Sequence, residues 1–289
     1  MNNDSSTDGR ILLTGGAGFL GQGFLASLDA QTRSRCVCIV RKTTPELAAS
    51  VGVVVEGFFG DVTTLAKLDA YPITTVVHLA AVTGGCSEED AMNINIAAPR
   101  VLLRHFSDRG CRRFVLASSI AAVGLQRTDF QPLSMPIADT HPCLDIDGYG
   151  FSKFMMEQVA AYHHRQNPAL TIYCLRFGVI SPDEAPDAPY VAPSSPPAWT
   201  YAHFSKVRRR DAVGALNLAR TKSSAGGFHV LNIVARQADL GTSVPELLAK
   251  WCPQGPFDLS AYEVAGHERD AVFSTALAKQ ELGFTAEWP

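Results

Sequence analysis

The sequence predicts a doubly wound α/β fold, a parallel sheet covered on both faces by helices, with a smaller and more broken closing segment. Three observations carry the prediction. Short apolar runs alternate with helix-period segments from Arg10 to about Leu175. The run Cys36-Val37-Cys38-Ile39-Val40 is apolar throughout, as suits a strand buried on both faces. The run before it turns sharply into a helix through glycines at 15, 18 and 21. Crossovers between parallel strands are right-handed, so ligands are expected at the carboxyl ends of the strands.

In chain order, residues 1–9 read as a polar, disordered tail. The first strand covers Arg10 to Leu13, and the helix after the glycine turn buries Phe24, Leu25 and Leu28. The second strand is Cys36 to Val40. A third apolar run spans Val51 to Phe58 and leads to Gly60-Asp61-Val62; a fourth, Thr75 to Leu79, ends in Ala80-Ala81. Ile94, Ala97, Ala98, Val101, Leu102 and His105 recur at helical spacing and predict one buried face. Phe114 to Ala117 is the fifth strand and ends in Ser118-Ser119. A helix from Tyr149 to about Arg165 and a strand from Thr171 to Leu175 complete the alternation. Six prolines between Ser181 and Pro197 exclude regular structure, leaving a loop that is either a lid or a surface excursion. Beyond it, Asp211 to Arg220 reads as a helix and Phe228 to Val234 as a strand. Ser243-Val244-Pro245-Glu246 is a capping box opening a helix to Trp251, and Ser274 to Leu282 is a last helix closed by Gly283. The expected domains are therefore 10–181 and 182–289, with part of the second returning to the sheet.

Composition narrows the function. A chain of 289 residues, 46% hydrophobic and 18% charged, can bury a large core, and a net charge of −3 gives no basic field for nucleic acid. No apolar run reaches the roughly 20 residues needed to span a bilayer, and Met1 to Gly9 lacks the apolar core of a secretion signal. A cytoplasmic protein without a membrane segment is expected. Seven cysteines with no Cys-x-x-Cys pair read as reduced thiols, and no metal site is expected.

Three features point to chemistry. The turn Thr14 to Gly21 is a phosphate cradle: a helix N-terminus offers unpaired N–H groups and a partial positive charge, and glycines let the anion approach the backbone. Tyr149 and Lys153 stand one helical turn apart, where an ammonium favours the phenolate and suits the tyrosine to acid–base work. A hydroxyl of Ser118-Ser119 at a strand's carboxyl end can hold a substrate oxygen; capping of backbone is the other role open to these serines.

Thr14-Gly15-x-x-Gly18-x-x-Gly21, Gly60-Asp61-Val62, His78-Leu79-Ala80-Ala81, Asn95, Ser118-Ser119 with Gly124, and Tyr149-x-x-x-Lys153 resemble, in order and spacing, the extended short-chain dehydrogenase/reductases, in their sugar-nucleotide epimerase/dehydratase branch. The match is strong over residues 10 to about 182. The resemblance implies a Rossmann-type dinucleotide-binding domain over 10–181 and a substrate-binding lobe over 182–289. It makes Tyr149 the acid/base, Lys153 its electrostatic partner and a ribose ligand, Ser119 the catalytic serine and Asn95 the family's helix asparagine. Gly15, Gly18, Phe19, Leu20 and Gly21 would cradle the dinucleotide, Asp61 and Val62 would touch adenine, and Leu79, Ala80 and Ala81 would line its channel. Family members commonly dimerise through helices corresponding to about Asn93 to Asp108 and Tyr149 to Arg165, so a homodimer is expected.

At the end of the second strand stand Arg41 and Lys42 rather than an acid, which favours NADP over NAD unless both point into solvent. The expected function is therefore an NADP-dependent oxidoreductase acting on a sugar, sugar nucleotide or related polyol or ketone. The alternatives are an NAD-dependent sugar-nucleotide epimerase and a non-catalytic dinucleotide-binding sensor or scaffold; retention of both Tyr149 and Lys153 favours an enzyme. Arg176-Phe177-Gly178-Val179-Ile180-Ser181-Pro182 is similar to the shorter motif of hexuronate dehydrogenases. Arg208-Arg209-Arg210 could meet a diphosphate or carboxylate or form a solvated face, and Trp199, Tyr201 and His203 could be pocket wall or core.

Overall fold

The computed structural model describes residues 9–253, 255 and 257–288; the tail over residues 1–8 lies outside them. In order the elements are β1 (Arg10–Thr14), α1 (Phe19–Ser27), α2 (Ala30–Ser34), β2 (Cys36–Val40), α3 (Pro45–Ser50), β3 (Val53–Glu56), α4 (Val62–Ala66) and β4 (Ile73–His78). There follow α5 (Glu88–Asp90), a π-helical stretch (Ala91–Ala97), α6 (Ala98–Asp108), β5 (Arg113–Ser119), a 3-10 turn (Ile120–Val123), α7 (Gly148–Gln166), β6 (Thr171–Phe177) and β7 (Val179–Ser181). The chain closes with β8 (Lys206–Arg208), α8 (Arg209–Thr221), β9 (Gly227–Ile233), α9 (Val244–Trp251), a second 3-10 turn (Ser260–Tyr262) and α10 (Ala276–Leu282).

Seven strands form one sheet in the order β3-β2-β1-β4-β5-β6-β9, and β7 pairs with β8 separately. The registers Leu12↔Val37, Val37↔Val53, Leu12↔Val76 and Val76↔Phe114 make the first five strands parallel. The Gly227 N–H donates to the Leu170 carbonyl at one end of β9 and the Gly178 N–H to the Ile233 carbonyl at the other, so β9 runs alongside β6 in the same direction. The predicted α/β sheet is thus present, and a strand from the closing third completes it. The order changes direction about β1 and β4, the place where a doubly wound sheet opens for ligands.

The chain clusters into two compact units, 1–117 with 155–174 and 216–229, and 118–154 with 175–215 and 230–289. In the first, Leu12, Leu13, Cys36, Val37, Cys38, Val76 and Val77 are fully buried in the sheet, and α1 lays Phe24 and Leu25 onto it. The second has its own core, in which Phe130, Tyr201, Phe204, Trp251, Tyr262 and Phe273 surround the apolar turn Ile120–Val123. The capping box at α9 forms in both directions, Ser243 Oγ accepting the Glu246 N–H and Glu246 accepting the Ser243 N–H. Gly283, at φ +72°, ends α10 as expected.

Three expectations need correction. Gly9 is not part of a loose tail: it is buried, and a Cβ there would lie 2.0 Å from Thr74 Oγ1. The third strand is shorter than the apolar run, because Gly57 at φ +155° ends it. The long helix buries Asn95, Ala98, Leu102, His105 and Phe106 but exposes Ala97. Its first part winds with i→i+5 bonds, the Ala98 N–H reaching the Asn93 carbonyl, and the extra residue per turn rotates the predicted face.

Candidate active site

The glycine turn belongs to the first unit. The Thr14 hydroxyl lies 2.7 Å from His78 Nδ1 and accepts the Ala80 N–H at 3.3 Å, while the Leu79 N–H donates to the Thr14 carbonyl at 3.1 Å. These bonds hold the carboxyl ends of β1 and β4 together. Gly15 has φ +75°, and a Cβ on it would fall 2.7 Å from Ala80 N, so Leu79 and Ala80 back the turn directly. Gly18 stands at the N-cap of α1 and donates its N–H to the Gly15 carbonyl at 3.0 Å. A Cβ on Gly21 would lie 2.2 Å from Gly15 O and 2.8 Å from Gly16 Cα, so helix and turn meet backbone to backbone. No side chain caps α1, whose N-terminus presents the positive end of the helix dipole to the turn. A pyrophosphate fits this cradle, which a side chain at 15 or 21 would fill. Phe19 is exposed and Leu20 half-buried at its mouth. A cavity of about 460 Å³ opens beside it, lined by Gly16, Ala17 and Gln22 and by Thr44, Glu46 and Leu47.

Arg41 and Lys42 are exposed just past β2. Sequence reading found no acid at that strand's end, but register supplies one from the next strand: Glu56, opposite Val40, accepts the Thr43 N–H at 2.6 Å. The Thr43 hydrogen bonds, then the Lys42 charge, hold its carboxyl below the usual value. Only strand pairing reveals that neighbour. Asp61 is committed to its own helix: it accepts the Thr63 hydroxyl at 2.6 Å, the Thr63 N–H at 3.0 Å and the Thr64 hydroxyl at 3.0 Å, and these bonds, the Thr63 hydroxyl first, hold its carboxyl below the usual value. Val62 beside it is 62% exposed. Ala81 is half-buried beyond β4, and the buried Asn95 amide fixes the next residue, accepting the Val82 N–H and donating to the Val82 carbonyl, both at 3.0 Å.

The second unit carries the titratable centre. Ser118 is buried at the end of β5. Ser119 is half-buried and accepts the Ala121 N–H at 3.1 Å, capping the 3-10 turn while keeping its own O–H as a donor. Asp147 accepts the Gly150 N–H at 3.2 Å in the first turn of α7. One residue before Gly150, Tyr149 is half-buried; one turn on, Lys153 is only 3% exposed, its Nζ 5.9 Å from the centre of the Tyr149 ring. Trp199, the one non-glycine residue with positive φ among those described, sets its ring 6.1 Å from that of Tyr149. Of the other aromatics flagged from sequence, Tyr201 is core and His203 stacks on Tyr190 at 5.2 Å.

The arginine triplet is not one solvated face. Arg208 is buried, donates to the Pro182 carbonyl at 2.8 Å and to Asp187, and lies 4.3 Å from the centre of the Trp288 ring. Asp211 accepts the Glu287 N–H at 3.0 Å, so the chain's end is pinned over that guanidinium. Arg209 pairs with Asp183 at 3.5 Å, tying down the start of the proline-rich loop.

The sheet order, with its reversal beside the glycine turn, defines a Rossmann-type doubly wound α/β fold. Residues 11–190 match the NAD dependent epimerase/dehydratase family, and the chain belongs to that family. It is 26% identical over 180 residues to a UDP-glucose 4-epimerase of Erwinia amylovora, a match that covers 58% of this chain and 52% of the relative, so the chain spans about half the relative's length. It is 34% identical over 134 residues to a D-erythronate dehydrogenase of Cupriavidus necator, 40% of each chain. The UDP-glucose 4-epimerase of Bifidobacterium longum, solved with NAD+ and UDP, superposes with a TM-score of 0.68 at 19% identity, covering 97% of this chain and 94% of that one.

Proposed function

We propose that the chain moves hydride between a nicotinamide dinucleotide and a hydroxyl-bearing carbon of a sugar nucleotide, with NAD as the retained cofactor and epimerisation as the net reaction. In this reading the turn from Gly15 to Gly21 holds the pyrophosphate, and Tyr149 takes and returns the proton of the reacting hydroxyl. Lys153 favours the ionised phenol and binds ribose, and Ser119 donates to the same substrate oxygen. When bound, the dinucleotide supplies hydride acceptance and return. The observation that carries the reading is the burial of Lys153 with its ammonium held over the Tyr149 ring. A buried cation favours ionisation of the phenol beside it. Support for NAD and a sugar nucleotide comes from the Erwinia and Bifidobacterium epimerases, the latter solved with NAD+ and UDP.

A second reading, an NADP-dependent dehydrogenase with an exchanging cosubstrate, is favoured by the exposed Arg41 and Lys42 and by the likeness to D-erythronate dehydrogenase. Heat-denaturing the purified protein and weighing the released dinucleotide separates the two: retained NAD supports epimerisation. No retained dinucleotide, with tighter binding of NADPH than NADH, supports the dehydrogenase. Tyr149→Phe is expected to lower turnover of UDP-glucose and UDP-galactose by roughly 10²–10⁴-fold while NADH affinity changes little. Undiminished turnover removes Tyr149 from its role. Pairing of two copies through α6 and α7 is part of the proposal and is read by sedimentation.

A further inference from the structure

A carboxyl group is packed between the two segments that carry Ser119 and Tyr149. The 3-10 turn capped by Ser119 closes at Gly124, whose φ is +114° and whose Cβ, if present, would lie 2.7 Å from Leu144 C and 2.8 Å from Asp145 N. The Leu144 N–H donates to the Val123 carbonyl at 3.0 Å, so the segment before α7 is laced to the serine turn. Asp145 turns its side chain into this seam. Its Oδ1 accepts the Ile146 N–H at 2.8 Å and the Asp147 N–H at 3.2 Å. Its Oδ2 is buried and has no hydrogen-bond partner among the described residues. A Cβ on Gly150 would lie 1.7 Å from that oxygen and 2.6 Å from the Ala121 carbonyl oxygen, so the carboxyl and the carbonyl crowd the same point against the first turn of α7.

We propose that Asp145 is a positioning residue for Ser119 and Tyr149: as the neutral acid it donates Oδ2–H to the Ala121 carbonyl and clamps the serine turn onto the start of the tyrosine helix, and as the carboxylate it releases that clamp. Two oxygens without a proton between them repel, and a proton turns the same contact into a hydrogen bond. The groups facing Asp145 agree. From α7 it meets Gly150 and from the turn Ala121, neither charged; Asp147 lies beside it in its own loop, and Arg127 is engaged with Asp129 at 2.8 and 2.6 Å. Burial first, with Asp147 adding to it, pushes the Asp145 carboxyl up to about 6, against the opposing backbone N–H bonds and Arg127. The clamp is therefore closed at pH 5 and open at pH 7.5. The positioning role rests on the reading of Ser119 and Tyr149 as the reacting pair; the clamp itself does not.

Hydrogen exchange of the full chain, read by mass spectrometry at pH 5 and pH 7.5 with labelling times scaled to intrinsic rates, tests the clamp without any substrate. Protection of residues 120–124 and 148–152 is expected to fall about tenfold across that range in the wild type. It should stay high at both pH values in Asp145→Asn, whose amide keeps a donor, and low at both in Asp145→Ala. Equal protection at both pH values in the wild type overturns the proposal. In turnover of UDP-glucose, Asp145→Ala is expected to lower kcat more than it changes KM, and Asp145→Asn to remove the limb near pH 6 from the pH profile. If Tyr149→Phe abolishes turnover while Asp145→Asn keeps that limb, the positioning role falls and the reading of Tyr149 stands. If Tyr149→Phe turns over normally, the functional reading falls, and hydrogen exchange alone still decides the clamp.

Discussion

Gly21→Ala is the most searching substitution at the cradle, because two opposed effects of known size meet there. Alanine is the better helix former by about 1 kcal/mol, so an unobstructed Gly→Ala change inside a helix stabilises. At Gly21 the new methyl would sit 2.2 Å from Gly15 O and 2.8 Å from Gly16 Cα, where ordinary contact begins near 3.4 Å. Both obstructing atoms are backbone, so no side chain can rotate aside, and α1 or the turn must shift by about 1 Å. Overpacking of this kind costs about 1–3 kcal/mol, which exceeds the propensity gain. A shift of that size also draws the α1 N–H groups away from the anion, and each 1.4 kcal/mol lost is about tenfold in affinity. NADH fluorescence titration is expected to give a dissociation constant raised tenfold or more, with a lowered melting temperature. Gly214→Ala is the control: nothing lies within 4 Å of its methyl, and α8 should gain about 0.5–1 kcal/mol. NADH affinity within twofold of wild type in Gly21→Ala would refute the steric argument.

The other outcomes are more local. Asp145 is more acidic in the unfolded chain, near 3.8, than in the fold, near 6, so its contribution to stability falls as pH rises between those values and is constant above them. Relative to wild type, Asp145→Asn should gain nothing at pH 4 and roughly 1–2 kcal/mol at pH 7, after discounting about 3 kcal/mol for partial solvent screening; urea titrations at both pH values measure it. Asn95→Ala removes both bonds to the Val82 backbone and should cost about 2–4 kcal/mol by the same assay; a cost below about 1 kcal/mol would mean water replaces the amide.

Much of this protein is decided by its sequence. The alternation of apolar runs with helical segments requires a parallel sheet, and the spacing of Gly15, Gly18 and Gly21 after a strand requires a turn without side chains. Tyr149 and Lys153 share a helix face because their separation equals one turn. These are local rules, satisfied within a few residues of chain. What the tertiary structure decided depends on segments far apart in sequence. Register sets Glu56 beside Val40 and so puts an acid near Arg41 and Lys42; a π-helical turn rotates Asn95 inward; and burial splits the arginine triplet, seating Arg208 under Trp288. Asp145 belongs with these. In the sequence it is one acid among 28, and only the approach of the Gly124 turn and the bare Gly150 of α7 removes its Oδ2 from water and gives its proton something to do.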